Sequence, residues 1–220
     1  MAASARRVRS SATAAGEMME LYSYVVARDY GFAPNPFMNV CTLATCKPKI
    51  RAKAQIGDWV IGTGTASRNR SGRLVFAMCV DAAIPFNEYW NGPRYQEKKA
   101  NLRGSKKQAF GDNIYFKPFG KPWQQINSHH SFADGSCNIA NVRNDTQANR
   151  VLIGEEFIYW GGNGPKIPAK FRNYNGIDIC AKRGHKRNFP AELVTEFVEW
   201  MKETGEQGFV APPLDWDKTA

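Results

Sequence analysis

The sequence predicts an α+β domain in which a mixed β-barrel carries peripheral helices and a long, loop-rich insertion. Three apolar runs near the start of the chain, at residues 21–26, 40–45 and 59–61, each end in a polar, proline-bearing or glycine-bearing turn. An apolar pattern of helical spacing lies near the C-terminus, and residues 117–150 are rich in Gly, Asn, Ser, His and Asp. Strands that end in polar loops are typical of a small barrel with a ligand pocket at its rim.

Strands are predicted wherever short apolar or β-branched runs are bounded by turn residues, at 21–26, 40–45, 58–63, 73–80, 113–116, 151–153 and 157–160. The run from Leu74 to Val80 is apolar throughout, which predicts a strand covered on both faces. A short helix is expected between the second and third strands, because Pro48 suits a first helical turn and Gly57 suits a helix end. Apolar residues at 193, 194, 197, 200 and 201, followed by Gly205, predict a core-facing helix.

The length of 220 residues favours a single domain, which we place at residues 19–210. We expect a disordered basic tail at 1–18 and a C-terminal tail at 211–220. The Arg-rich, acid-poor start could also be a transit peptide, or the natural protein could begin at Met18 or Met19, downstream of the start codon used here. A membrane span is excluded, because no apolar run reaches about 18 residues. Five cysteines without a CxxC pair predict reduced thiols, a cytoplasmic protein, and neither a metal nor a cofactor.

The formal net charge of +10 is concentrated in clusters of basic residues. Such clusters attract polyanions and make binding dependent on salt, although a basic surface without a partner is the alternative. We expect nucleic acid, DNA rather than RNA, or a nucleotide as the partner. The predicted phosphate-binding residues are Lys98, Lys99, Arg103, Lys106, Lys107, Arg183, Lys186 and Arg187.

A base-binding pocket is predicted from residues at successive strand ends. The loop at 29–37 offers aromatic faces for stacking and polar edges for hydrogen bonds, and both are needed to recognise a base. Its aromatic side chains could instead fold into the core, and Trp160 could be an ordinary core residue. The predicted base-binding residues are Asp29, Tyr30, Asn35, Lys47, Thr63 and Trp160.

The segment Ser128-His129-His130-Ser131 is the candidate for acid–base chemistry. A histidine that is oriented by a carboxylate acts as a general base near neutral pH, and Asp112 and Asp145 are the candidate carboxylates. Adjacent histidines on a strand point to opposite faces, so only one of them is expected to face a given pocket. A hydrogen-bonded network that merely locks the loop is the alternative.

The motifs ARDYGFAPNPF, CTLATCKPKIR, GDWVIGTG, GRLVFAM, EYW-x-x-PRY, GDNIY, SHHS and YWGG resemble a bacterial and phage family, the nucleotide modification associated domain family of the second type. The resemblance covers roughly Leu21 to Pro168 and implies a role beside DNA-modification systems. The Gly57-Asp58 step before a strand also resembles PUA-like domains of the EVE and YTH type. That likeness implies an aromatic pocket for a modified base, whereas the insertion from Asn91 to Arg150 departs from a minimal module and leaves room for an active site.

Three functions therefore remain open from the sequence. The first is a module that binds a nucleotide or a modified base in nucleic acid. The second is a transferase or hydrolase that acts on a nucleobase or nucleotide through a His/Asp site. The third is a basic interaction protein without a small-molecule pocket.

Overall fold

The computed structural model describes residues 18–216, which contain eleven strands and six α-helices. The strands are β1 (Leu21–Val26), β2 (Cys41–Leu43), β3 (Trp59–Gly64), β4 (Leu74–Cys79), β5 (Ala82–Ile84), β6 (Tyr115–Phe116), β7 (Gln124–Gln125), β8 (Val151–Gly154), β9 (Phe157–Tyr159), β10 (His185–Lys186) and β11 (Gly208–Phe209). The helices are α1 (Pro48–Lys53), α2 (Phe86–Asn91), α3 (Lys106–Ala109), α4 (Ile139–Asp145), α5 (Ala169–Arg172) and α6 (Ala191–Lys202).

The main sheet has six strands in the order β10-β1-β3-β4-β9-β11 and mixes parallel with antiparallel pairs. Strands β1 and β3 run parallel, with Leu21 opposite Trp59 and Val26 opposite Gly64. A second, antiparallel sheet has the order β2-β8-β5, and β6 and β7 form a separate hairpin. Because β1 and β3 are parallel, the loops that follow them leave the main sheet at the same edge.

The α+β class is confirmed, but the strands of residues 18–216 do not form the predicted mixed β-barrel. The main sheet is open, with β10 and β11 at its two edges. Each of these edge strands is two residues long and pairs only with its inner neighbour, whereas closure of a barrel requires the first and last strands to pair. The second predicted strand, at 40–45, contributes to the small sheet instead of extending the main one.

The main sheet is covered on both faces, as the apolar run in β4 predicts. Neighbouring side chains point to opposite faces, so that Ile61 and Ala77 face α6, whereas Val60 and Phe76 face the small sheet. Helix α6 buries its apolar stripe from Leu193 to Met201 against the first face. A third core cluster lies between the small sheet and the insertion, so the insertion is a packed part of the domain.

The local predictions agree closely for β1, α1 and α6. Strand β2 is shorter than predicted because the chain turns at Cys46 and Lys47, which both have positive φ angles. Helix α6 ends at Lys202, three residues before Gly205, whose φ angle is +70°. Within residues 18–216, no helix combines the length and apolar character needed to span a bilayer.

The segment at 211–216 packs against the domain, although the sequence suggested a tail there. Asp215 is 1% exposed, and its Oδ2 accepts a hydrogen bond from the backbone N–H of Asp29 at 2.8 Å. The Trp216 indole donates to the backbone oxygen of Tyr30 at 2.9 Å. These contacts fasten the loop that follows β1. The expected N-terminal tail lies outside the described residues, except for Met18.

Candidate active site

A thiol, an imidazole and a carboxylate lie in line at one edge of the small sheet. The Sγ of Cys46 lies 3.7 Å from Nε2 of His130, and Nδ1 of His130 lies 3.0 Å from Oδ2 of Asp145. The three residues come from the turn before α1, the loop before α4 and the last residue of α4. A nucleophile beside a base that a third group orients is the arrangement used for nucleophilic catalysis.

The turn that carries the thiol has an uncommon backbone conformation. Cys46 and Lys47 have φ angles of 56° and 42°, in the left-handed region that side chains disfavour. The Cys46 N–H donates to Oδ1 of Asp145 at 2.8 Å, and the Lys47 carbonyl accepts from the N–H groups of Ile50 and Arg51. Backbone conformations of this kind cluster at functional sites, where surrounding contacts hold them in place.

A buried guanidinium joins the thiol turn to the carboxylate helix. Arg51 is 0% exposed, and its Nε donates to the carbonyl of Cys46 at 2.9 Å. Its remaining nitrogens donate to the carbonyls of Asp145, Ala148 and Arg150. Burial lowers the pKa of Arg51 to about 10, so the side chain stays charged at neutral pH. Arg51 therefore helps to position both ends of the triad, which we define as Cys46, His130 and Asp145.

Asp145 is a fully buried hydrogen-bond acceptor. Besides His130, its Oδ2 accepts from the Tyr115 hydroxyl at 2.9 Å, and its Oδ1 accepts from Asn144 Nδ2 at 3.0 Å. Burial and the Asp145 charge raise the pKa of Tyr115, which keeps this hydroxyl a donor. The carboxylate is thus fixed in orientation before any substrate arrives.

The loop that carries His130 is held through its backbone. The His130 carbonyl accepts from Gln125 Nε2 at 3.3 Å and from Asn141 Nδ2 at 2.9 Å. The imidazole ring contacts Cys46 through Nε2, and its Nδ1 contacts Asp145 and, at 3.3 Å, the Tyr115 hydroxyl. The backbone carbonyl thus holds the loop in place, while the ring nitrogens contact Cys46, Asp145 and Tyr115.

The contacts of His130 favour its cationic form. Burial by itself lowers the pKa of His130, but the hydrogen bonds and charges of Asp145 and Cys46 outweigh burial and raise the pKa to about 9. At neutral pH both ring nitrogens therefore carry protons and donate. An imidazolium beside a sulfur is a typical environment of reactive thiols. The His130 side chain is 16% exposed and Cys46 is partly exposed, so the site is open to solvent.

His129 belongs to an aromatic wall, which we define as Tyr30, Phe32, Phe110 and His129. The His129 ring centroid lies 4.9 Å from that of Tyr30 and 5.1 Å from those of Phe32 and Phe110. Desolvation by these rings, together with the nearby cations His130 and Arg28, lowers the pKa of His129 to about 4. His129 is therefore neutral at pH 7, although part of its surface is exposed.

The aromatic wall adjoins the triad directly. The ring centroids of Phe32 and His130 are 4.6 Å apart. Tyr30 and Phe110 stack with nearly parallel rings at 5.0 Å. Of the predicted base-binding residues, Tyr30 thus lies in the wall and Lys47 follows the thiol in sequence. Burial lowers the pKa of Lys47, whose ammonium lies 4.6 Å from the ring centroid of Tyr24.

Asp112 lies in a different network, together with Asn35 and Lys98. It accepts hydrogen bonds from the hydroxyls of Thr42 and Tyr89, both at 2.7 Å. The Lys98 ammonium donates to Oδ1 of Asn35 at 2.8 Å and to the Thr42 hydroxyl at 3.1 Å. All five side chains are buried. The structure therefore places Lys98 inside the domain, and Asp112 contacts neither histidine through these bonds.

The other predicted base-binding side chains make contacts within the fold. The Asp29 carboxylate accepts from the Tyr159 hydroxyl. The Thr63 hydroxyl donates to the carbonyl of Tyr24 at 3.3 Å. Trp160 is 1% exposed and lies in the core beside α6. These three side chains support the rim of the sheet and offer little free surface to a ligand.

The remaining predicted phosphate-binding residues lie on the surface, and several contact other parts of the chain. They are Lys99 over the Trp90 ring, Arg103, Lys106 bonded to the Trp216 carbonyl, Lys107 over the Phe209 ring, Arg183, Lys186 bonded to the Asp178 carbonyl, and Arg187 near Glu20.

A cationic cleft lies beside β4. It is lined by Asn69, Arg70, Arg73, Gly162 and Asn163. The Nη1 of Arg70 is buried and has no hydrogen-bond partner among the described residues. This cleft can accept an anion such as a phosphate.

Three residues of the site escaped the sequence analysis. Cys46 received no role there, because nothing in its spacing distinguishes it from the other four cysteines as a partner of a distant histidine. Arg51 and Tyr115 carry no sequence signal either, because their roles depend on tertiary contacts. Within residues 18–216, no group of three or more His, Cys, Asp and Glu side chains is placed to hold a metal ion.

Comparison with known families gives one match. The model of the family described as nucleotide modification associated domain 2 matches residues 18–220, nearly the whole chain. No curated protein and no solved structure matches the chain.

Proposed function

Because the chain belongs to the nucleotide modification associated domain 2 family, we propose that it is a thiol-dependent transferase or hydrolase that acts on a nucleobase or nucleotide. The observation that carries this proposal is the alignment of Cys46, His130 and Asp145, with distances of 3.7 and 3.0 Å between successive groups. The family description supports the class of substrate, and the geometry of the three side chains supports the chemistry.

The reaction proceeds through a covalent intermediate on sulfur. The Cys46 thiolate attacks an electrophilic carbon of the base, or of a group that the base carries, and a carbon–sulfur bond forms. The bond to the leaving group breaks, and His130 donates its Nε2 proton to that group. Water or a second substrate then loses a proton to His130 and displaces the sulfur. Asp145 holds the imidazole in the required orientation throughout.

The surroundings of the triad suit a planar, anionic substrate. The aromatic wall contacts His130 through the buried Phe32, and its other rings are partly exposed. Stacking of a base on an aromatic side chain contributes about 1–3 kcal/mol. Lys47 places a cation next to the nucleophile in sequence, and the cleft at Arg70 and Arg73 offers a further anion site. We expect a polynucleotide substrate, DNA rather than RNA, with a PUA-like mode of base recognition, in the cytoplasm.

Thiol reactivity gives the first test, because it needs no known substrate. Cys46 and Cys137 are both free and partly exposed, so Cys137 is a matched control. We expect iodoacetamide to alkylate Cys46 at least tenfold faster than Cys137 at pH 7, with the rate at Cys46 reduced in H130N. Equal rates at the two cysteines, or no effect of H130N, would contradict the proposed nucleophile.

The substrate class is tested by nucleoside analysis. Wild type, C46S and C137S are expressed separately, and mass spectrometry quantifies the nucleosides from DNA, RNA and the free nucleotide pool. We expect a nucleoside to appear or disappear with wild type and C137S but not with C46S. A change that persists in C46S would exclude the thiol mechanism.

Base binding without turnover is the second candidate function, and the aromatic wall is the observation that favours it. In that case a modified oligonucleotide binds wild type and C46S equally, and no nucleoside changes. A Y30A variant then loses discrimination between modified and unmodified oligonucleotides.

A further inference from the structure

A fully exposed aromatic side chain lies at the tip of the β6–β7 hairpin. Phe119 has a relative exposure of 105%, the value of a side chain that contacts nothing around it. Its neighbours in the sequence Lys-Pro-Phe-Gly-Lys-Pro-Trp include Lys117 and Lys121, which are both exposed. The tip therefore combines a large apolar surface with two positive charges.

The tip is rigid, so the exposure of Phe119 is built into the hairpin. A turn is closed by a hydrogen bond from Lys121 N–H to the Pro118 carbonyl, and Gly120 supplies the positive φ of 67°. The Asn87 side chain exchanges two hydrogen bonds of 2.8 Å with the backbone of Lys117. A constrained aromatic side chain that is held in water is suited to an external partner, because little ordering entropy is lost on binding.

The base of the same hairpin holds the candidate active site. On β6, the Tyr115 hydroxyl donates to Asp145. On β7, Gln125 donates to the His130 carbonyl and accepts from the Asn138 N–H. Phe119 is four residues from Tyr115, which places it at most about 14 Å away at the length of an extended chain. An object contacted by the tip is thus within reach of the triad.

An enzyme that modifies a base in a duplex needs a group that helps to expose that base. A base inside a duplex is inaccessible, so an enzyme must extrude it, at a cost of a few kcal/mol of stacking and pairing. Apolar side chains inserted between base steps partly unstack them and kink the duplex, which lowers the remaining cost of extrusion. Lysines beside the inserted group bind the flanking phosphates.

We propose that the β6–β7 hairpin is a wedge whose Phe119 inserts into the base stack of duplex DNA and delivers the extruded base to the site at Cys46. Lys117 and Lys121 contact the phosphates on either side of the inserted ring. This inference rests on the proposed function, because it assigns a duplex polynucleotide as the form of the substrate.

Base extrusion is measured with duplex oligonucleotides that contain 2-aminopurine, whose fluorescence rises on unstacking. The C46S background prevents turnover. We expect the fluorescence to rise when C46S binds the duplex. The rise should be at least fivefold smaller with C46S/F119A and nearly unchanged with C46S/F119W. C46S/I56A is the matched control, because Ile56 is 71% exposed in a turn outside the hairpin, and it should behave as C46S.

Two further measurements complete the test. The K121A variant should lower the slope of log affinity against log salt by about one. Affinity for a single strand of the same sequence should fall less than twofold in F119A.

An equal fluorescence rise in C46S and C46S/F119A overturns the wedge. Phe119-dependent binding to phosphatidylglycerol vesicles without binding to duplex overturns it too and indicates a membrane surface. The fluorescence readout needs no turnover, whereas the nucleoside analysis needs Cys46, so failure of the wedge and failure of the proposed function are separable.

Discussion

The His130–Asp145 pair makes the stability of the domain depend on pH. A histidine in the unfolded chain titrates near 6.5, whereas the contacts with Asp145 and Cys46 raise the pKa of His130 in the folded protein to about 9. Between these values the folded protein keeps a proton that the unfolded chain has lost. This contribution to stability is therefore fully present below pH 6.5 and is lost as the pH rises through 9.

The size of the effect follows from the two pKa values. One pKa unit corresponds to about 1.36 kcal/mol, so raising the pKa from 6.5 to about 9 contributes about 3 kcal/mol of unfolding free energy. The variant H130N keeps a hydrogen-bonding side chain but does not titrate. We expect the stability difference between wild type and H130N to shrink by about 3 kcal/mol between pH 6 and pH 9.5.

Urea unfolding at pH 6, 7.5 and 9.5 measures this difference. Lys98, whose pKa burial lowers to about 8, titrates in the same range in both proteins, and its contribution cancels in the comparison. His185 is the control, because burial lowers its pKa and H185N should change the pH dependence only on the acid side of 6.5. A wild-type-minus-H130N difference that stays constant with pH would refute the reasoning.

Replacing Arg51 by Met should lower the unfolding free energy by about 3–5 kcal/mol, because four carbonyls that are buried or partly buried lose a charged donor. Calorimetry should show a fall in melting temperature of about 6–20 °C. Replacing Lys98 by Met should cost about 2–4 kcal/mol in urea unfolding, because its buried acceptors lose their donor. D112N should lower stability and leave alkylation of the candidate nucleophile unchanged, whereas D145N should slow alkylation at least tenfold. Equal alkylation rates in these two variants would argue against Asp145 as the orienting group.

Local sequence patterns predicted the elements well because they depend on neighbouring residues. The run from Leu21 to Val26 forms the predicted strand, and the apolar spacing from Leu193 to Met201 forms the predicted helix. The order of strands depends on pairing between segments that are far apart in the chain, and the spacing of apolar residues does not reveal that pairing. The prediction of a mixed β-barrel failed for that reason, since β2 pairs with β8, more than a hundred residues later.

The site shows the same division between local and distant information. His130 and Asp145 were both candidates, yet only the fold shows that they meet, and that Asp112 bonds to Tyr89 instead. Lys98 lies in a basic stretch that suggested a phosphate contact, but its ammonium points into the core. The burial of a single lysine among exposed ones leaves no mark in a charge count.

The contacts of Asp215 and Trp216 have a practical consequence for protein engineering. These residues bond to the backbone of Asp29 and Tyr30, and Tyr30 belongs to the aromatic wall that contacts His130 through Phe32. A chain trimmed at residue 210 would release that loop and disturb the site from a distance. Truncation series and C-terminal fusions should therefore keep residues 211–216, with any flexible linker placed beyond them.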